Sequence, residues 1–170
     1  MFRALPGGIH LNSTRLQILG VNWFGAEVSG CPHGLWSVSW KSVLDGFVVK
    51  NGYNMLRLPM SVDLALDMDG QTPEHINYSL NPDLQGLTAG KVLDKIIDGC
   101  RERGVLVMPV FHRLKRGEEI PELWYRDPDF PESKVIDAWL NVVRRYQNNP
   151  DVFAIDLKNE PHGRATWRTG

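Results

Sequence analysis

The chain has few cysteines, no surplus of charge of either sign, and no long apolar run. Across its 170 residues there are two cysteines, Cys31 and Cys100. Their spacing matches no metal motif and no disulfide framework. Lys and Arg number 19 against 20 Asp and Glu, a net charge of -1. These charges are mixed along the chain, so nothing electrostatic points to nucleic acid or an anionic membrane as partner. No apolar stretch approaches the roughly 20 residues needed to span a bilayer. The first residues, Met1-Phe2-Arg3-Ala4, lack the apolar core of a secretory signal. The five histidines are scattered. A metal-dependent hydrolase using His112, His162 and Glu160 therefore has little support, and neither a metal nor a cofactor is expected.

What is present is an alternation of strand-like and helix-like segments. Residues 9–19 read as a short hairpin turning at Asn12-Ser13, a lead-in (1–19) to the main domain (20–170). Gly20 to Trp23 reads as a first buried strand. A helix over 39–50 presents Trp40, Val43, Leu44, Phe47 and Val48 on one face and closes at Asn51-Gly52. Asn54 to Pro59 is a second strand, followed by a long polar connection to about Thr88. A helix over 89–103 buries Val92, Leu93, Ile96, Ile97 and Cys100, and Val105 to Val110 forms a third strand. After a second long loop, a helix over 132–147 turns Val135, Trp139, Val142, Val143 and Tyr146 inward. Val152 to Leu157 is the fourth strand.

Near-continuous apolar strands separated by helices indicate a parallel sheet covered by helices. A doubly wound sheet would place a Gly-rich phosphate turn after the first strand. Here Gly20 and Gly25 flank Asn22-Trp23, and the indole would block close approach of a phosphate. Long loops after the second and third strands favour a barrel built up at its C-terminal face. The fold class is α/β: the N-terminal half of a (β/α)8 barrel, about four βα units, preceded by a short hairpin.

Polar residues stand at the carboxyl ends of all four strands: Asn22, Arg57, His112 with Arg113, and Asn159-Glu160. Each has an ordinary explanation alone, as an ion-paired arginine, a half-buried imidazole or a turn-forming asparagine. Strand alternation also makes Asp156 and Lys158 as suited as Glu160 to point inward. Their joint position at one end of four parallel strands favours a site.

The motifs that carry these residues resemble glycoside hydrolase family 5, with the strongest likeness to its bacterial-type endoglucanases. They are Gly20-Val21-Asn22-Trp23-Phe24-Gly25, His33-Gly34-Leu35-Trp36, Gly52 to Pro59, Asn81 to Thr88, His112-Arg113, Leu123-Trp124-Tyr125, Arg145 to Pro150 and Asn159-Glu160-Pro161-His162-Gly163. The likeness is collinear from about Gly20 onward and covers the N-terminal half of that catalytic domain. It implies that Glu160 is the general acid/base of a retaining two-carboxylate hydrolase acting on β-1,4-glucan, with a raised pKa from partial burial. It further implies that Asn159 holds the sugar 2-hydroxyl, that Arg57 orients the nucleophile, and that His112 hydrogen-bonds substrate. Asn22, His33, Trp36, Trp124 and Trp167 are implied substrate-binding positions, and an extracellular location is implied.

Two positions depart from the family pattern. Val110 stands where an Asp is common, and Lys158 where a His commonly precedes Asn-Glu-Pro. Both change the polar layer beneath the site. The family's nucleophile, a Glu on the seventh strand, has no counterpart here, and no other carboxylate among Glu27, Glu118, Glu119, Glu122 or Asp156 is expected to replace it. The chain alone is therefore expected to be inactive and to need a complementary C-terminal half. The alternative is a non-catalytic carbohydrate-binding remnant.

Overall fold

The computed structural model describes residues 2–125 and 127–166. Strands β1 (Phe2–Leu5), β2 (Gly8–Leu11) and β3 (Thr14–Arg15) form an antiparallel sheet in the order β1-β2-β3. The anticipated turn is present: Leu11 pairs with Thr14, and Asn12 takes a φ of 58°, which asparagine tolerates in a two-residue hairpin. Strand β1 was not anticipated. Four residues are too few to show a period, and it pairs with β2 across a second tight turn, Leu5 opposite Gly8.

The second sheet is parallel, with β4 (Gly20–Asn22), β5 (Met55–Ser61) and β6 (Leu106–Arg113) in chain order. The register pairs Asn22 with Arg57 and Arg57 with Met108. Parallel partners share a face. Leu56, Leu58 and Met60 therefore line up with Val107, Pro109 and Phe111 on one side, and all but Pro109 belong to the hydrophobic core. Asn22, Arg57, Met108, Val110 and His112 fall on the other face.

The expected fourth strand is only partly formed. Residues 152–157 make isolated parallel bridges from Val152 to Val107 and from Asp156 to Val110 rather than a continuous ladder. Four residues advance on this segment while three advance on β6, so one residue is extra. Pro109 explains the position of the slip. Val107 receives and gives hydrogen bonds on this side, from Phe153 N (3.2 Å) and to Asp151 O (2.7 Å). Pro109 points the same way but has no N–H to hold the next carbonyl. The ladder resumes with Asp156 N donating to Pro109 O at 2.9 Å. A bulge of this kind turns the following side chains to the other face.

The helices cover the apolar face. Helix α1 (Ala26–Ser29) is one turn, and α2 (Trp40–Val43) runs on into a wider π-helical turn, Leu44–Val49. Thr88 caps α4 (Ala89–Glu102), its hydroxyl accepting from Lys91 N at 3.3 Å. Val92, Leu93, Ile96, Ile97 and Cys100 are fully buried, as the periodicity required. In α5 (Glu132–Tyr146), Val135, Val142 and Tyr146 are buried and Trp139 stacks on Phe111 at 3.8 Å between ring centroids.

Two expected inward residues are instead exposed. Val143 is 46% and Phe47 49% accessible. Val143 sits beside Ile136 and Leu140 on a second apolar stripe of α5 that faces outward. Phe47 is rotated by the π turn and meets Tyr53 instead of the core. Arg145 locks α5 to α4: its guanidinium forks onto Asp94 (2.7 and 2.6 Å) and Asp69 (2.9 Å twice). The hydrogen bonds from Arg145, helped by its charge, hold the Asp69 carboxyl below its usual range. Cys31 and Cys100 are buried free thiols whose pKa burial pushes up to about 11 and about 12.

The long connection after β5 carries its own short elements, α3 (Val62–Leu66) and a 3-10 turn, Pro82–Leu84. Buried Asn81 ties this connection to the first loop. Its oxygen accepts from Trp40 N at 2.9 Å, and its amide donates to Leu35 O (3.1 Å) and Val38 O (3.2 Å). The first loop, which carries Trp36, is thereby held in place. Among the described residues, no helix is long and apolar enough to cross a membrane.

Candidate active site

Arg57 is the hub of the polar face. Its Nη1 donates to Asn22 Oδ1 at 2.9 Å, its Nη2 to Asn159 Oδ1 at 2.9 Å, and Nη2 and Nε both reach Asp156 Oδ2, at 2.9 and 3.2 Å. These four bonds use four of the five N–H groups of a guanidinium. Asn159 is 6% accessible, its backbone N donates to Phe111 O at 2.9 Å, and its amide lies 3.5 Å from His112 Nε2. The ends of β4 and β6, the third residue of β5 and the 151–160 segment therefore place Asn22, His112, Arg57 and Asn159 side by side.

Glu160 follows directly. It has a φ of 45° and an exposed side chain, so the partial burial expected from the sequence is not provided by the described residues. Its carbonyl oxygen meets His162 Nδ1 at 2.7 Å. Lys158, half-buried, donates from Nζ to Asn159 O. Burial lowers the Lys158 pKa, against the opposing charges of Glu160 and Asp156.

Asp156 was not expected in the site. The sequence left it level with Lys158 and Glu160 as a residue able to point inward; the bulge opposite Pro109, which sets Asp156 against Val110, turns it to Arg57. A hint was present in Pro109, although its effect appears only once the register of the two segments is known. Glu27 is the second residue missed. It is 2% accessible on α1, accepts from Gly25 N at 2.7 Å, and its charge acts on His112.

His112 carries a pKa below its ordinary 6.5, chiefly because burial disfavours the imidazolium. Arg57 and Arg113 push the same way, and Glu27 and Glu160 oppose them. The unfolded chain then takes up a proton near its ordinary pKa of about 6.5, and the folded chain only at lower pH. The contribution of His112 to stability is fully present above that value and is lost as pH falls through the window down to the folded pKa. Urea midpoints at about pH 7.5 and about pH 5.5 check this: the acid-side loss should be smaller in His112→Gln than in the parent, and equal losses would refute it.

The aromatic positions divide between two grooves. Trp36, 51% exposed, forms with His33 (rings 5.4 Å apart), Ile76 and Asn77 a groove of about 590 Å³. His33 in turn meets Phe24 edge-on at 4.7 Å, and its carbonyl accepts from Trp23 Nε1 at 2.8 Å. Trp124 lines a different groove of about 720 Å³, with Met108, Asp156, Leu157 and Lys158. That larger groove touches the polar cluster only through Asp156 and Lys158. Trp167 lies outside the described residues. His112, His162 and Glu160 do not gather as a ligand set, and among the described residues no three His, Cys, Asp or Glu do so.

Comparison with known proteins adds an independent line. The family described as Cellulase (glycosyl hydrolase family 5) matches residues 14–170. An endoglucanase of Paenibacillus polymyxa is 45% identical over 152 residues, which make up 89% of this chain and 37% of that protein. The major extracellular endoglucanase of Xanthomonas campestris pv. campestris is 40% identical over 159 residues, 91% of this chain and 31% of that one. The catalytic domain of the Xanthomonas endoglucanase superposes with a TM-score of 0.85 at 39% identity, covering 94% of this chain and 45% of that chain. An endocellulase from Pyrococcus horikoshii, in complex with cellotetraose, gives 0.89 at 32% identity, covering 99% and 45%. The chain thus spans less than half the length of each of these relatives.

Proposed function

The chain belongs to the cellulases of glycosyl hydrolase family 5, and from that premise we propose that it supplies the acid/base half of a retaining β-1,4-glucan hydrolase. On this reading it forms about four βα units of a (β/α)8 barrel over 20–170, with 1–19 as a lead-in. The carrying observation is the Arg57 hub, which binds Asn22, Asp156 and Asn159 at one rim beside His112 and Glu160. That arrangement fixes Asn159 and directs positive charge into a site where carboxylates would work.

Chemically, Glu160 protonates the departing glycosidic oxygen while a second carboxylate attacks the anomeric carbon and forms a glycosyl ester. Glu160 then deprotonates the water that cleaves the ester. The two carboxyl groups must stand roughly 5–5.5 Å apart for this route. Asp156 is engaged by Arg57 and is no free nucleophile, so the second carboxylate comes from the complementary half. One Arg57 N–H remains after the four bonds described, enough to meet an oxygen of that group. His112 and Asn159 hold substrate hydroxyls. Trp36 with His33 in one groove, Trp124 in the other and Asn22 at the hub provide the sugar contacts, with Trp167 a further contact that the family likeness implies.

Exposed apolar side chains support the need for that half. Ile136, Leu140 and Val143 form a stripe on α5, and Ile155 and Leu157 are exposed on the incompletely paired 151–157 segment. Unpaired strand edges of this kind invite a partner strand. An extracellular setting follows by analogy with the Xanthomonas relative.

Tryptophan fluorescence during titration with cellotetraose tests the sugar-binding part. Binding should weaken by roughly tenfold in Trp36→Ala, the scale of one aromatic contact. Xylotetraose and mannotetraose should bind less well than cellotetraose. Equal affinity of the variant and parent would remove Trp36 from the site, and equal affinity for all three sugars would remove the glucan assignment.

A further inference from the structure

Arg116, in the loop after β6, belongs to no motif and lies outside the polar hub, yet it contacts three separate segments. Its backbone N donates to Asp63 Oδ2 at 3.2 Å, at the start of α3. Its Nε donates to Val28 O at 3.4 Å, on α1. Nη1 donates to Gln71 Oε1 and Nη2 to Glu74 Oε1, each at 3.0 Å. The side chain is only 17% accessible although its partner Glu74 is 60% accessible. A guanidinium with its donors spread over two chain segments, little contact with water and a backbone N tied to a third segment is a brace rather than a surface charge.

The segment it braces is one wall of the Trp36 groove. Glu74 N donates to Ser29 O at 2.8 Å, Cys31 Sγ to Glu74 O at 3.1 Å, and Asn77 N to Leu35 O at 3.0 Å. Asn77 Nδ2 also reaches Trp36 O at 3.4 Å. Residues 71–77 are thus laid against 29–36 by a short row of bonds, and the third loop holds that row closed through Arg116. Gly117 N, donating to Glu27 O at 3.3 Å, adds a second tie between the same loop and α1.

We propose that Arg116 is a positioning residue that clamps residues 71–77 and so preorganises the Trp36 groove for a β-linked glucose chain. It touches no substrate. The tie couples the loops after all three parallel strands, so contacts at the third loop govern the shape of a groove built by the first and second. Ordering the wall before sugar arrives removes part of the cost of binding. The sugar-binding consequence rests on the function proposed above; the clamp itself does not.

Amide hydrogen exchange on the 170-residue chain separates the two. In Arg116→Met, which keeps the apolar stem and loses the donors, exchange at Glu74 and Asn77 should rise by roughly tenfold, about 1.4 kcal/mol of local protection. Exchange at Ile96 and Ile97 in α4 should not change. Arg116→Lys, retaining charge but only one reach, should fall between. Unchanged protection at Glu74 and Asn77 overturns the clamp, and so does a uniform rise that includes α4, which would make Arg116 a general stability residue. Cellotetraose titration is the second arm. Weaker binding in Arg116→Met alongside the local exchange effect supports the whole proposal. Parent-like binding in Arg116→Met, with the exchange effect present and binding by the parent, overturns its preorganising part. Absence of binding by the parent itself, with the exchange effect intact, refutes the sugar assignment and leaves the clamp standing.

Discussion

The isolated chain is expected to release no reducing ends from carboxymethyl cellulose, whereas a chimera that continues it with the C-terminal part of the Paenibacillus endoglucanase should release them. In that chimera, Glu160→Gln should lower turnover by between about a hundredfold and ten-thousandfold, the range of a positioned general acid/base. The loss should depend on the leaving group. An aryl cellobioside whose phenol is a strong acid needs no proton to depart, so the first step should survive in Glu160→Gln and the glycosyl-enzyme should accumulate. Hydrolysis by the isolated chain would show that a nucleophile lies within it. Equal loss on both substrates would deprive Glu160 of its acid role. Asp156→Asn provides a check on the site: it leaves the partly buried Arg57 charge less balanced and should reduce turnover through Arg57 and Asn159 without the leaving-group signature.

The second large effect concerns the backbone beneath the groove. Gly25→Ala is expected to destabilise the chain by about 3 kcal/mol or more, lowering Tm by roughly 6–12 °C. Gly25 has a φ of 129°, where an L side chain is strained. A Cβ there would run into the backbone nitrogen of His33 and come within 2.9 Å of Cys31 O. These are backbone atoms that cannot rotate away. Gly25 O also accepts from Val28 N (2.9 Å) and Ser29 N (2.8 Å), so α1 would move with it. Gly86→Ala is the control: its φ of 75° is also left-handed, but no atom lies within 4 Å of the added Cβ. The control should cost about 1 kcal/mol. Calorimetry of the two variants decides the matter, and comparable Tm values would show that the His33 contact is unimportant.

Much of the helical framework was legible in the sequence. The buried set of α4 followed directly from its 3.6-residue period, because Thr88 and Gly104 bound a single clean stripe. In α5 the same rule overreached. Val143 continues the pattern of Val135 and Val142, but Ile136 and Leu140 extend it into a second stripe that the described fold does not cover. Periodicity reports which residues are apolar, not which neighbours exist to bury them. The 71–77 wall and the Arg116 brace left no trace in local sequence, since their partners lie 42 to 88 residues apart.

The amino-acid order alone determined the parallel alternation of strands and helices and the family likeness, and it pointed to Asn22, Arg57, His112 and Asn159 as one group, although Arg57 is the third residue of β5 rather than its last. These rest on local periods and motifs, which are properties of neighbouring residues. Only the tertiary structure decided that Asp156 shares Arg57 with Asn159, that Glu160 stands exposed, and that Trp36 and Trp124 line separate grooves. The reason is the pairing of β6 with residues 151–159. A proline on one strand removes a single donor, the facing segment slips by one residue, and that slip reassigns which side chains meet.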